Sequence, residues 1–259
     1  MHWLTRRARR PTVETYHAYF EDYVGHCLPW IPAALGRALA KHLSRQLCSE
    51  VDHLIVPSEQ MVDVLRRYGV TTLPIGIDLE EVAGGDGPRF RAEHGIDVSR
   101  PVIVTVSRLA VEKNIGFLLQ MARALLPRFP DLLFVIAGEG PDAPRLKRLA
   151  QDLVASGDVR FFGNLDRRRA LLDACRAGEA SVSASPVETH GLVLIEAMAL
   201  GVPIVSTAVV GTKMALEHAR GAVISEEDVG ALAARVTAVL VDPARRAALA
   251  ARARVDAEA

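Results

Sequence analysis

The hydrophobic and polar positions of the chain fall into two regimes. From residue 100 onward, short apolar runs rich in β-branched residues alternate with stretches of helical spacing. "PVIVTVSR" (101–108), "LLFVIAGEG" (132–140), "DVRFFG" (158–163), "EASVSAS" (179–185) and "VPIVST" (202–207) read as strands. The stretches 114–129, 142–156, 167–178 and 191–200 read as helices, and the Ala/Arg-rich tail 243–259 as a final one. Strands apolar throughout, interleaved with helices, predict βαβ units and a parallel sheet covered on both faces, an α/β fold. Such sheets bind ligands beyond the carboxyl ends of their strands, in the loops that enter the helices.

The first hundred residues are less regular. "TVETYH" (12–17) and "VDHLIVP" (51–57) read as strands, and Ser58 is placed to cap a helix that Gly69 ends. Between the strands, "PAALGRALAKHLSRQLC" (32–48) puts Leu35, Leu39, Leu43 and Leu47 on one helical stripe and Arg37, Lys41 and Arg45 on another. Such a cationic amphipathic helix either packs its leucines on a sheet or lies on an anionic lipid surface. "TLPIGIDLEEVAGGDGP" (72–88), rich in glycine and acids, marks a boundary. The expected division is a partial N-terminal domain over 1–75, a linker over 76–88, and a C-terminal domain over 89–259.

Composition narrows the function classes. Among 259 residues, 31 Lys and Arg balance 31 Asp and Glu, which argues against a dedicated nucleic-acid binder. The first fifty residues carry a cationic excess of three, mostly from "RRARR", read as a solvated terminus or as a basic arm beside a membrane. Three scattered cysteines fit a reducing compartment and make neither a disulfide framework nor a metal site. No apolar signal region follows the basic start, and no apolar run reaches about 18 residues. The expectation is a cytoplasmic protein, peripheral at the inner membrane face if residues 1–48 touch lipid.

The chemistry concentrates in "SASPVETHGLVLIEAMALGVPIVST" (183–207), which sets Glu188 and Glu196 eight positions apart around His190 and Gly191. Gly191 stands where a helix begins, and the first amides of that helix, through Leu192 and Val193, together with its dipole make an anion site. Glu196 falls about 6 Å along the axis from Leu192, and Glu188 stands outside the N-terminus. Carboxylates flanking an anion pocket repel phosphate but accept hydrogen bonds from sugar hydroxyls. The matching ligand is a nucleotide sugar, with hydroxyls on both sides of a diphosphate. The plainer reading leaves Glu196 as a helix residue reaching for solvent. In "SRLAVEKN" (107–114), Arg108 and Lys113 open a helix at a strand's carboxyl end, where two cations clamp a diphosphate. "AGEGP" (137–141), with Gly138, Glu139 and Gly140, either leaves room for a base or ribose or is a generic strand-to-helix turn.

These segments together resemble a retaining glycosyltransferase of the GT-B fold, family 4, whose two domains are Rossmann-like. "ETHGLVLIEAMALGVPIVST" resembles the E-x7-E signature, "VSRLAVEKN" the phosphate-binding segment and "VIAGEGP" the glycine turn. "DVRFFGNL", with Arg160 and Phe161, resembles the strand that meets the nucleobase, and "TVETYHAYFEDY" the N-domain strand carrying an active-site histidine, here His17. The resemblance implies a UDP- or GDP-hexose donor and a hydroxyl acceptor, a membrane lipid among the candidates. Arg108 and Lys113 would hold the diphosphate, and Glu188 with the backbone at His190 and Gly191 the hexose. Glu196 would hold the ribose, and His17 would reach the hexose or the acceptor. No metal or cofactor is implied, and no aspartate–x–aspartate motif is present. Retention of configuration is expected with the departing phosphate taking the acceptor's proton, so the glutamates are not a glycosidase's acid and nucleophile. The family's N-terminal domain begins with strands that have no counterpart before His17, so truncation is expected. The alternative is a catalytically incomplete nucleotide-sugar-binding remnant or interaction module. An NAD-dependent Rossmann enzyme is disfavoured because no Gly-x-Gly-x-x-Gly follows residues 101–108.

Overall fold

A computed structural model describes residues 11–15, 31–49, 51–56, 71–74, 77–186, 191–207, 216 and 219–258. The chain divides into two compact units, Met1–Gly76 and Ile77–Ala259.

In the first unit, β1 (Val13–Thr15), β2 (His53–Val56) and β3 (Thr71–Pro74) form a parallel sheet in that order. Val13 pairs with His53, and His53 with Thr71. The amide and hydroxyl of Thr12 both donate to Asp52 Oδ2, at 2.7 and 2.9 Å, which fixes the start of β1 against β2. These bonds hold the Asp52 carboxyl below the usual carboxylate range. Helix α1 (Ala33–Ser49) buries Gly36, Ala40, Ser44 and Cys48, a stripe of small side chains at four-residue intervals. Leu35, Leu39 and Leu43 are 62%, 47% and 47% exposed. Leu35, Leu39 and Leu43 therefore stand on the outer face, the reverse of the sheet-packing expectation, and the small residues occupy the buried one. The helix predicted after Ser58 lies outside the described residues, and β3 falls where the sequence pattern places the start of the boundary.

The second unit is built on six parallel strands: β4 (Val102–Val106), β5 (Leu133–Ala137), β6 (Val159–Gly163), β7 (Ala180–Ser183), β8 (Ile204–Thr207) and β9 (Ala222–Ser225). Their order is β6-β5-β4-β7-β8-β9. Alternate residues serve opposite faces, as the two-residue period of a strand requires. On one face, Ile103, Phe134, Ile136 and Val205 pack with α4 (Ile115–Leu125), α5 (Ala143–Leu149), α6 (Gln151–Ser156) and α9 (Val229–Leu240). On the other, Val102, Val104, Leu133 and Val135 pack beneath α3 (Gly87–Glu93) and α7 (Ala170–Arg176). Ile204 packs on that side with α8 (Leu192–Ala199) and α10 (Pro243–Glu258). Burial on both faces explains why the central strands β4 and β5 read as near-continuous apolar runs. The helix expected over 142–156 divides between α5 and α6. β9 and α9 stand outside the elements expected from the sequence, although Leu232, Ala233, Val236 and Val239 recur at helical spacing; Asp228 caps α9 by accepting from the Ala231 amide at 2.8 Å.

The stretch 76–88, read as a linker, carries regular structure from Leu79 onward. A one-turn helix, α2 (Leu79–Val82), is capped by Asp78, and α3 by Asp86. Gly87 has no room for a side chain against the backbone of Arg176, so its glycine lets α3 dock on α7. There the buried carboxylate of Asp173 accepts from the Asp86 amide at 2.7 Å and from Arg89 Nε and Nη2 at 2.8 and 2.7 Å. Among the described residues no helix is long and apolar enough to cross a membrane.

Candidate functional site

The strand order reverses between β4 and β7. After β4 the chain proceeds outward through β5 and β6; after β7 it proceeds the other way through β8 and β9. Loops leaving the two strands diverge at such a point, and the crevice between them is where doubly wound sheets take their ligands. The loop after β4 carries Arg108 and Lys113. The loop after β7 leads to Gly191 and α8. The two motifs, about eighty residues apart in sequence, are thus neighbours, and the buried Ser185 joins them by donating its hydroxyl to the Glu112 carbonyl at 3.2 Å.

The loop after β4 is held from below by the glycine turn after β5. Ser107 donates its amide to Ala137 O at 3.0 Å, Leu109 donates to Glu139 O at 2.9 Å, and Leu109 O accepts from the Asp142 amide at 2.9 Å. A Cβ at Gly138 would stand 1.9 Å from Ser107 O, and one at Gly140 2.3 Å from Leu109 O. These glycines serve the approach of one backbone to another. Glu139 reaches back over Gly163. Beyond Leu109, a 3₁₀ turn (Val111–Lys113) and Asn114 in the left-handed region, φ 51°, aim the chain into α4. Arg108 is paired with Glu112 one turn on; Arg108 is mostly exposed and Glu112 mostly buried.

Across the crevice, Gly191 adopts φ 64° and ψ 31° at the N-cap of α8, an arrangement costly for any residue with a Cβ. Among the described residues no side chain caps this end of the helix. The amides of Leu192 and Val193 precede the first intrahelical bonds, which Leu194 and Ile195 make to Gly191 O at 2.7 and 3.0 Å. Glu196 is buried, with its carboxylate 5% exposed, and pairs through Oε1 with Arg167, whose side chain is 68% exposed. The carboxylate therefore does not simply reach for solvent. Burial first, and the nearby Glu196 charge second, push the Cys175 thiol up to about 12. That thiol is a packed, protonated group and not a nucleophile.

On the nucleobase side of the expectation, Arg160 donates to the His94 carbonyl at 2.8 Å, which fixes the end of α3. Phe161 packs against the core, while Phe162 stacks with Phe90 and His94, ring centres 5.0 and 4.9 Å away. A bulge between β5 and β6 admits the extra residue, and Gly163 O accepts from the Gly138 amide at 2.7 Å. His17, Glu188 and His190 lie outside the described residues. Sequence reasoning missed Arg167, Glu112 and Ser185. Arg167 had one available signal: it opens "RRRA" in the loop that leaves a strand's carboxyl end.

Residues 86–256 match the family described as glycosyl transferases group 1, and residues 1–81 match glycosyltransferase family 4. The chain is 30% identical over 213 residues to an alpha-monoglucosyldiacylglycerol synthase of Streptococcus pneumoniae, a match that covers 79% of the chain and 48% of the relative. It is 33% identical over 189 residues to a GDP-mannose-dependent alpha-(1-6)-phosphatidylinositol monomannoside mannosyltransferase of Mycolicibacterium smegmatis, covering 68% of the chain and 48% of the relative. The chain thus spans about half the length of the curated relatives it matches. Among solved structures, sucrose-phosphate synthase from Thermosynechococcus elongatus superposes with a TM-score of 0.76 at 23% identity, over 99% of this chain and 66% of the other. Anabaena HepE in complex with UDP-glucose does so with 0.76 at 19%, over 99% and 70%. Strand order, the paired loops at its reversal and the family match converge: the chain belongs to the glycosyl transferases group 1 family and has the GT-B fold.

Proposed function

We propose that the crevice at the reversal of the six-stranded sheet binds a nucleoside-diphosphate hexose, and that the whole protein transfers the hexose to a hydroxyl acceptor with retention of configuration. The observation that carries this reading is the meeting of the Arg108–Lys113 loop and the Gly191–Glu196 segment across β4 and β7, tied by Ser185. Arg108 and Lys113 take the diphosphate and steady it as it departs. The amides opening α8 add donors to the anion. Glu196, buried and ionically held, accepts from ribose hydroxyls. Binding then requires Arg108 to turn from Glu112, and Glu196 to share its carboxylate between Arg167 and the sugar. Glu188, His190 and Gly191 would hold the hexose, and His17 the hexose or acceptor. In the domain division expected from the sequence, residues 89–259 supply the donor side.

A lipid acceptor fits the exposed face of α1, where Leu35, Leu39 and Leu43 lie beside Lys41 and Arg45. Apolar side chains entering a bilayer interface while flanking cations meet anionic headgroups are what such a face offers. The relatives whose names include diacylglycerol and phosphatidylinositol point the same way.

The test is calorimetry of the chain with UDP, GDP and NAD, then donor turnover with and without a lipid acceptor. Binding of UDP or GDP, lost in Arg108→Ala/Lys113→Ala with the fold intact, is expected. Glu196→Ala should weaken nucleoside diphosphate at least tenfold and leave inorganic pyrophosphate nearly unchanged; equal loss for both refutes the ribose role. Binding without turnover, under acceptors that serve the relatives, would leave a nucleotide-sugar-binding module.

A further inference from the structure

The opposite end of the six-stranded sheet holds a cavity of about 630 Å³, within the range of small-ligand sites. Gly178 and Glu179 at the entry to β7, and Gly201 and Pro203 at the entry to β8, form its floor; α3 and the first half of α10 form its walls. It lies one strand length, roughly 16 Å, from the Arg108 loop.

Its charge is unbalanced. Glu179, the one carboxylate among the described residues that line it, is taken by Arg91 at 3.0 Å and by the Val102 amide. Arg91 is itself fully engaged, bonding Ala177 O and Arg100 O at 2.7 Å each. Arg246 also lines the cavity, fixed by bonds to Val239 O and Leu240 O at 3.3 and 3.2 Å. Arg254 lies two helical turns further along α10 on the same face, its guanidinium laid against Gly201. Arg176, at the end of α7, completes the group. Among the described residues no carboxylate pairs with Arg176 or Arg254. Burial, and then the Arg254 charge, hold the Arg176 pKa below the usual arginine range. The carbonyl ends of α7 and α9 rationalise Arg176 and Arg246 on the cavity wall; they do not rationalise a further cation, Arg254, laid against the Gly201 rim of a cavity whose described acid is already neutralised.

We propose that this groove is a second anion site of the unit, taking a phosphoryl group carried on a carbon-rich body such as glycerol or a glycerolipid. Planar guanidiniums offer the phosphoryl oxygens paired donors and relieve their mutual repulsion by sharing one anion. Pro88, Ala92, Ile96 and Pro203 give the body of the ligand an apolar wall.

Calorimetric titration of the chain with glycerol 3-phosphate and with dihexanoyl phosphatidic acid below its micelle concentration tests it. At least one probe binds the wild type, and Arg176→Glu weakens that binding tenfold or more while the melting temperature holds or rises, because the new carboxylate faces Arg254. Arg254→Gln, which removes a cation without reversing charge, gives a similar loss. Comparable affinity for both probes identifies a free phosphate ester as the ligand; binding of the lipid alone identifies a lipid headgroup. Failure of both probes to bind, or equal affinity in wild type and both variants, overturns the proposal.

Discussion

The glycine turn beneath the Arg108 loop lets backbone strain and backbone crowding be separated by three alanine substitutions. Gly157 has φ 83°, and a Cβ there would meet nothing within 4 Å, so Gly157→Ala adds dihedral strain alone, about 1 kcal/mol. Gly140 has no left-handed dihedral, but its Cβ would stand 2.3 Å from Leu109 O. Neither backbone has slack to give, so Gly140→Ala forces the loops apart and breaks the bonds that join Leu109 to Glu139 and Asp142. Two such bonds at ~1 kcal/mol each give about 2 kcal/mol. Gly138 combines both burdens, φ 129° and a Cβ 1.9 Å from Ser107 O. Gly138→Ala adds the strain to the loss of the Gly138–Gly163 and Ser107–Ala137 bonds, about 3 kcal/mol in all. Urea unfolding of the purified chain reads the stability series. Because Arg108 stands between the two displaced residues, UDP affinity read by calorimetry should fall at least tenfold in Gly138→Ala and Gly140→Ala and hold in Gly157→Ala. If Gly138→Ala costs no more than Gly157→Ala, the backbone approach is wrong. If stability falls and affinity does not, the loop lies outside the ligand site.

Two further outcomes follow from buried groups. Asp173→Ala removes the acceptor of the Asp86 amide and of both Arg89 bonds, and should lower the melting temperature by about 6 °C; Asp152→Ala, whose carboxylate pairs with Arg123 at the surface, should leave it nearly unchanged. Cys175 should resist alkylation at pH 8 until the unit unfolds, followed by mass mapping of the labelled peptide. Its raised pKa means that the folded state keeps a proton between pH 9 and 12 that the unfolded state has lost. Its contribution to stability is therefore complete below pH 9 and falls across that window.

The five strands read after residue 100 all recur within a few residues of their expected places, most plainly β4 and β5, which burial on both faces wrote as apolar runs. β9 escaped notice because "AVIS" is short and only partly buried, and α3 because its glycines resemble a linker's. Gly85 and Gly87, before and at its start, are required by contacts with α7, more than eighty residues away in sequence, which no local pattern reports. The leucines of α1 misled for a related reason: periodicity identifies a stripe but not the side on which its neighbours stand.

Residue type and short spacing were enough to write the alternation of strand and helix, the two carboxylates set around Gly191 and the cations of the 107–114 loop into the chain itself. Long-range packing was needed to bring the two segments to one crevice, to hold Glu196 with Arg167, to pair Arg108 with Glu112 and to open a cationic groove at the far end of the sheet. Those features depend on strand order and on contacts between residues far apart in the chain. One pattern of apolar runs is compatible with several strand orders, and the fit of helices and loops against the sheet, rather than any local preference, chooses among them.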